Sequence, residues 1–406
     1  MENRSRRFII RTDYEGRLGF LFCIIVMGLF VRNVTYMTAF ISNGNKELIS
    51  VIVKAVILLV IAFCLPAIIN RIDGNTGLVL MMGASFVIMH ILIFTDNNSV
   101  FLGTLNTFCT TILPAAICVH LIYDYERFYT GLIKTAVLIS SINMLFLLSF
   151  FLGNYGGSEY SMGYSQSLVF PTNVLISLYF KDDRKNYTNL LHLVLITANV
   201  LSIVVFGSRG AIVSIAFFTI IMFISSENYN INKKAQRIIL IIFFVLISVV
   251  FSRQILQFAV RILNQIGMSS RTLDLLAANG FLTDNGRMDI WTALIEKIKD
   301  SPFIIRGINA DQLLQTGFYH NSNYAHNLFL ELIYSFGIII GGALSVWFIN
   351  RFIKTLKTNV QNDQEMIRLL SMSSFFPICI WSGSLWTDMY CWVWLAIKKR
   401  RYGVSQ

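Results

Sequence analysis

The 406-residue chain is 55% hydrophobic and only 14% charged, with a mean hydropathy of +0.63. That balance excludes an ordinary soluble globule and a disordered chain, and it reads as a polytopic membrane protein. The net charge of +11 sits largely in short polar segments between apolar runs, which marks topology rather than a nucleic-acid partner.

A membrane-crossing helix needs about 20 apolar residues. Such runs are predicted at 18–40, 48–69, 77–94, 100–122, 130–152, 164–180, 188–207, 210–226, 236–252, 327–349, 366–384 and 385–397. The sixth contains Pro171 and the last is short. The expected fold class is therefore an all-α polytopic membrane protein of about twelve transmembrane helices. Met1 to Arg17 carries five arginines with no small-residue cleavage site after it, so it reads as an uncleaved start. With that end in the cytoplasm, short segments on the same side hold 20 Lys and Arg, and short loops on the other side hold 3. The positive-inside rule requires this asymmetry, and it places both termini in the cytoplasm. Three units follow: a membrane bundle over 1–252, a long outer loop over 253–325, and C-terminal hairpins over 326–406.

Cys23, Cys64, Cys109, Cys118, Cys379 and Cys391 all fall in apolar runs without CxxC spacing. They predict neither a disulfide framework nor a metal site. Within the long loop, Ile255 to Ile266 has helical apolar spacing and is expected to lie on the membrane surface. A second helix is expected after Asp284 or Asn285, with an apolar stripe of Trp291, Leu294, Ile295 and Ile298, ended by Ser301-Pro302.

Chemistry-bearing residues gather on the outer side of this topology. Arg209, in Phe206-Gly207-Ser208-Arg209-Gly210-Ala211, occupies a tight turn whose glycines permit close backbone approach. A guanidinium there grips phosphate oxygens or, alternatively, snorkels at the interface. Arg287 follows Gly286 at the start of the loop helix, where a helix N-terminus suits an anion; a solvated loop arginine is the plainer alternative. Trp291 stacks on a sugar or anchors the helix to the membrane. His326 is a general-base candidate near neutral pH, set against a structural histidine. Asn327 caps the following helix, and Glu331, an intramembrane acid, orients His326 or pairs with an arginine. Arg32, at the outer end of the first span, is a further anion ligand. The histidines His90, His120 and His192 have no ligand-like spacing. No DxD, HExxH, P-loop or GxSxG motif occurs, so metal-bound nucleotide-sugar, zinc, NTP and serine-hydrolase chemistries lack their signatures.

Four motifs in order carry a resemblance: Ser208-Arg209-Gly210-Ala211; Gly286-Arg287-x-x-Ile290-Trp291; Pro302 with Gly307; and His326-Asn327-x-x-Leu330-x-x-x-Tyr334-x-x-Gly337-x-x-x-Gly341. Over roughly 188–345 the chain resembles the O-antigen ligase/polymerase superfamily, the Wzy and WaaL group of bacterial envelope glycosyltransferases. The resemblance implies a GT-C-type membrane bundle that needs no metal or other cofactor, located in the bacterial cytoplasmic membrane with its active site outward. It implies an undecaprenyl-diphosphate-linked glycan donor and acceptor, and admits a flippase and a chain-length regulator as partners. Arg209 and Arg287 would hold the diphosphate, and His326 would take the acceptor proton, with inversion at C1. Trp291, Asn327, Glu331 and Arg32 complete the expected substrate-binding set. Polymerase is preferred over ligase because no dedicated acceptor domain is visible, and transport is the reading from another class.

Overall fold

The computed structural model describes residues 14–37, 43–151, 162–181, 187–206, 208–225, 287–314, 325–358, 360, 362–381 and 383–398, with a few single positions between 257 and 277. These form α-helices, two 3-10 turns and one π-turn, with no strand among the described residues. The expected span at 236–252 lies outside the described residues, as does most of the expected surface helix at 255–266.

Helix α1 (Tyr14–Met37) runs through the bundle with Leu18, Leu21, Phe22, Ile25 and Phe30 fully buried. It packs on α2 (Asn43–Ile69), α5 (Leu113–Leu121), α6 (Tyr125–Phe151) and α7 (Met162–Lys181). By contrast α2 and α3 (Gly74–Ile93) are apolar all round and show large side chains outward, such as Leu59 and Met81. A helix with that pattern is stable where its surroundings are hydrocarbon rather than water. Asp73 caps α3 by accepting from the Thr76 amide at 2.8 Å. Beyond a 3-10 turn at Thr95–Asn97, α4 (Asn98–Thr107) joins α5 through a π-turn at Phe108–Ile112, just before Pro114.

The centre of the bundle is α7, whose helix continues through Pro171. It is less apolar than the outer helices because it carries a buried polar ladder. Tyr164 donates to Asn143 Oδ1; Asn143 Nδ2 donates to Asn199 Oδ1 at 2.9 Å and Ser202 Oγ at 3.1 Å. Asn199 in turn donates to Ser140 Oγ at 2.8 Å and Thr172 Oγ1 at 3.1 Å. These bonds tie α6, α7 and α8 (Tyr187–Phe206), the kind of interhelical polar contact that holds helices together inside a bilayer. Helix α9 (Arg209–Ser225) then packs on α7 and on α12 (Asp363–Trp381).

Six helices are long and apolar enough to cross a membrane among the described residues: Tyr14–Met37, Asn45–Ile69, Thr76–Ile93, Thr95–Leu121, Tyr125–Ser149 and Leu328–Leu356. The chain is thus an all-helical polytopic membrane protein, and the twelve predicted spans are not reached in this set. Helix α11 (Leu328–Leu356) covers the predicted span 327–349 and is broken inside it at Gly337, which has φ 73° and ψ 169°. The predicted span 385–397 is a turn at 385–387 followed by α13 (Met389–Ala396), eight residues long, or about 12 Å, well short of a bilayer. Its irregular backbone is covered by protein, with Leu385, Cys391, Val393 and Trp394 buried, as non-helical chain at membrane depth must be. The segment ends beside the first turns of α12, where Gln364 and Arg368 donate to the Lys398 carbonyl.

Candidate active site at the mouth of the bundle

The break in α11 organises the mouth. Gly337 leaves the carbonyl of Ser335 and the amide of Ile338 outside the helix ladder, where they would be costly to bury unpaired. The loop after α10 (Arg287–Asp300) satisfies both: Ser335 O accepts from the Arg306 and Gly307 amides at 2.9 and 3.0 Å, and the Ile338 amide donates to Pro302 O at 2.7 Å. A Cβ on Gly337 would lie 3.1 Å from the Phe303 carbonyl group, and one on Gly341 only 2.4 Å from Leu332 O. Both glycines are therefore demanded by close backbone approach.

The same loop is riveted to the α3–α4 hairpin. His90 Nε2 accepts from the Ile308 amide at 2.8 Å, Asn97 donates to Arg306 O at 2.6 Å, and Asn309 donates to Thr104 Oγ1 at 2.7 Å. Accepting at Nε2 fixes His90 as the neutral tautomer with its proton on Nδ1, and its ring stacks on Phe101 with centroids 3.9 Å apart. Arg306 spans α10 and α11, donating to Lys297 O at 2.9 Å and Ser301 O at 3.0 Å while lying 4.7 Å from the Tyr334 ring. Ile290 and Leu294 of α10 close a small separate core with Ala310, Ala325 and Tyr334. The stripe on α10 is thus Ile290, Leu294 and Ile298, with Ile295 exposed. Trp291 is half-buried, and its indole reaches the segment before α11.

That arrangement sets the backbone at His326. Trp291 Nε1 donates to Ala325 O at 2.8 Å, and the Ala325 amide donates to Asp311 Oδ2 at 2.7 Å. Asn327 is the N-cap of α11, accepting from the Phe329 and Leu330 amides at 3.0 and 3.2 Å. Between these two fixed residues His326 adopts φ 50°, a left-handed conformation that a non-glycine residue keeps only when its surroundings over-determine it. Glu331, one turn on, is buried; it accepts from Ser384 Oγ and, at 3.1 Å, from the Leu385 amide. It anchors the turn before α13. Asp311 is buried too, and desolvation pushes its carboxyl up to about 6.

The remaining expected ligands sit on other elements. Arg287 is at the start of α10, four residues before Trp291 and therefore on the same helix face. Arg209 opens α9; the preceding Ser208 donates its amide to Ser165 Oγ at 3.1 Å on α7. Nearby, Asn33 donates to Gly163 O at 2.9 Å, so the ends of α1 and α9 meet at the start of α7. The Arg32 side chain, however, lines a crevice of about 20 Å³ with Lys54 and Thr110. The structure thus joins Trp291, His326, Asn327 and Glu331 in one construction, with Arg287 a turn away. Asp311, His90, Arg306 and Ser384 belong to it and escaped sequence reasoning. None lies in a spaced motif; the clue available was Gly307, which brought this loop into the resemblance.

An apolar groove of about 650 Å³ opens beside the mouth, between α3, α4 and the π-turn, with Ile308, Trp386 and Trp392 at its mouth end.

The fold is a helical membrane bundle with a polar segment around a left-handed His326 at one end. Residues 193–346 match the Wzy_C family model, described as O-antigen ligase. That segment contains Arg209, Arg287 and His326, and the match supports the O-antigen ligase/polymerase superfamily, a family of glycosyltransferase-like enzymes. No curated protein and no solved structure matches the chain.

Proposed function

We propose that the chain polymerises undecaprenyl-diphosphate-linked oligosaccharide repeat units into a surface polysaccharide at the outer face of the bacterial cytoplasmic membrane. The observation that carries this reading is the clamp on Ala325 from Asp311 and Trp291, which holds His326 in a left-handed conformation inside the O-antigen ligase segment. His326 takes the proton of the acceptor hydroxyl. The oxygen attacks C1 of the donor sugar from the face opposite the diphosphate, which leaves with the C1–O electron pair. Arg287 and Arg209 stabilise the charge that develops on the departing diphosphate. Asp311, Trp291, Asn327 and Glu331 position this segment, and the apolar groove beside Ile308 suits the isoprenoid chain of the donor. The bundle on this reading is of GT-C type and works without a metal.

Purified protein in nanodiscs, given the host's lipid-linked repeat unit, should yield a ladder of products on a gel. His326→Ala should lower the rate by about 10²–10⁴, the usual worth of a general base, while leaving thermal stability close to wild type. An unchanged ladder from His326→Ala would reject the site. The family description, O-antigen ligase, favours a second reading in which a finished glycan moves to another acceptor. Transfer of preassembled glycan to that acceptor without chain lengthening would decide for it.

A further inference from the structure

A second charged cavity lies far from the mouth, and nothing in the glycosyl-transfer reading uses it. It measures about 650 Å³ and is lined by Arg351, Lys354, Lys357, Arg368 and Lys398, with no carboxylate lining it among the described residues. It lies at the C-terminal end of α11, fourteen or more residues past the Gly337 break, hence about 20 Å or more along the helix from the mouth. Under the charge-count orientation, that is the cytoplasmic membrane surface.

The two arginines are held in place by the chain itself. Arg351 Nη2 donates to Leu395 O at 2.9 Å and Trp394 O at 3.3 Å; Arg368 Nη2 donates to Lys398 O at 2.7 Å. Arg351 also lies 5.7 Å from the Trp347 ring and 5.2 Å from that of Trp394. These bonds run through Nη2, and a guanidinium carries five N–H donors, so donors remain on the side that lines the cavity. The like charges of Arg351 and Arg368 act on one another, and five cations around one cavity repel. Glu365 acts on Arg368 and Asp73 on Lys398 from outside the lining. Such a cluster is favourable when an anion enters it, and phosphate is a group that both guanidinium forks and ammonium donors bind.

We propose that this cavity binds a phosphate-bearing anion, supplied at that depth by the headgroup of an anionic phospholipid. Basic pockets between helices at the cytoplasmic surface are suited to such headgroups. The Trp347 ring beside Arg351, with exposed Ile353 and Leu356 on the same helix, offers apolar surface for the acyl chains.

The test uses the full-length protein in neutral detergent, with native mass spectrometry reading bound lipid against a short-chain phosphatidylglycerol, a phosphatidylcholine of the same chain length, and inorganic diphosphate. Because Arg351 and Arg368 brace the backbone, the variant combines Lys354→Gln, Lys357→Gln and Lys398→Gln. At roughly fivefold per basic residue near an anionic headgroup, the triple variant should bind phosphatidylglycerol about a hundredfold more weakly. Its phosphatidylcholine binding and chain-lengthening activity per folded molecule, assayed in zwitterionic lipid, should stay unchanged. Phosphatidylglycerol binding that equals phosphatidylcholine binding, or that survives the triple change, overturns the proposal. Tight diphosphate binding with no lipid preference overturns the lipid source and assigns the cavity to a soluble anion. Loss of glycosyl transfer in His326→Ala with lipid binding retained separates this site from the mouth.

Discussion

At Ala325 two hydrogen bonds decide what His326 can do. One comes from the indole of Trp291 on α10, and the other goes to the Asp311 carboxylate. Removing Asp311 as acceptor leaves a buried amide unpaired, a loss of about 1–3 kcal/mol, and frees the residue before the histidine. Asp311→Ala should therefore lose both stability and glycosyl transfer. Asp311→Asn keeps an acceptor and removes the buried charge, which gives a pH signature. The folded carboxyl titrates at about 6 against an ordinary 3.8, because burial disfavours its charged form. Its stabilising contribution is then full below about pH 4 and is lost as pH rises through about 6. The thermal midpoint of wild type should fall relative to Asp311→Asn between pH 5 and pH 7 in detergent; parallel profiles would show that the carboxyl is not buried as described.

Helix α11 does two jobs because one glycine breaks it. The nine residues before the break carry the cap and Glu331; those after it run toward the opposite end of the bundle. Neighbouring glycines separate packing from propensity. A Cβ at Gly341 would meet Leu332 O at 2.4 Å, whereas one at Gly342 meets nothing within 4 Å. Gly341→Ala should destabilise by about 1–3 kcal/mol or more, as overpacking does. Gly342→Ala should be neutral or stabilising by up to about 1 kcal/mol through helix propensity. Thermal unfolding of the two variants side by side checks this, and equal midpoints would mean that α11 is not folded back on itself. The cap at Asn327 was legible from residue spacing, and of the expected α10 stripe Leu294 and Ile298 were, whereas Ile290 takes the place given to Ile295. The break at Gly337 was not, since a glycine inside an apolar run is compatible with a straight span, and only the docking of 302–307 requires the kink. For the same reason 385–397 read as a span, although Asp388, the α13 cap, and the bonds from Glu331 hold it as a turn and a short helix.

At the scale of the molecule, polar ladders rather than apolar area alone hold the central helices. Asn143 and Asn199, both fully buried, link α6, α7 and α8 through Tyr164, Ser140, Thr172 and Ser202. Asn199→Ala removes one of the two acceptors of the Asn143 amide and the donor to Ser140 and Thr172. It should lower the unfolding free energy by about 1–2 kcal/mol, read as a lower thermal midpoint with the product ladder unchanged in spacing. A midpoint equal to wild type would place the ladder outside the folding core.

By itself the sequence determined the helical membrane class and the family segment, because apolar length and short ordered motifs are local properties, and it singled out Arg209, Arg287 and His326 as candidates. The tertiary structure alone decided how His326 is held. Asp311, Trp291 and Ala325 meet across 34 residues, His90 meets Ile308 across 218, and the five cations of the far cavity come from α11, α12 and the chain end. Such meetings depend on which backbone groups a break leaves unpaired and which neighbours can satisfy them, and no spacing along the chain encodes that.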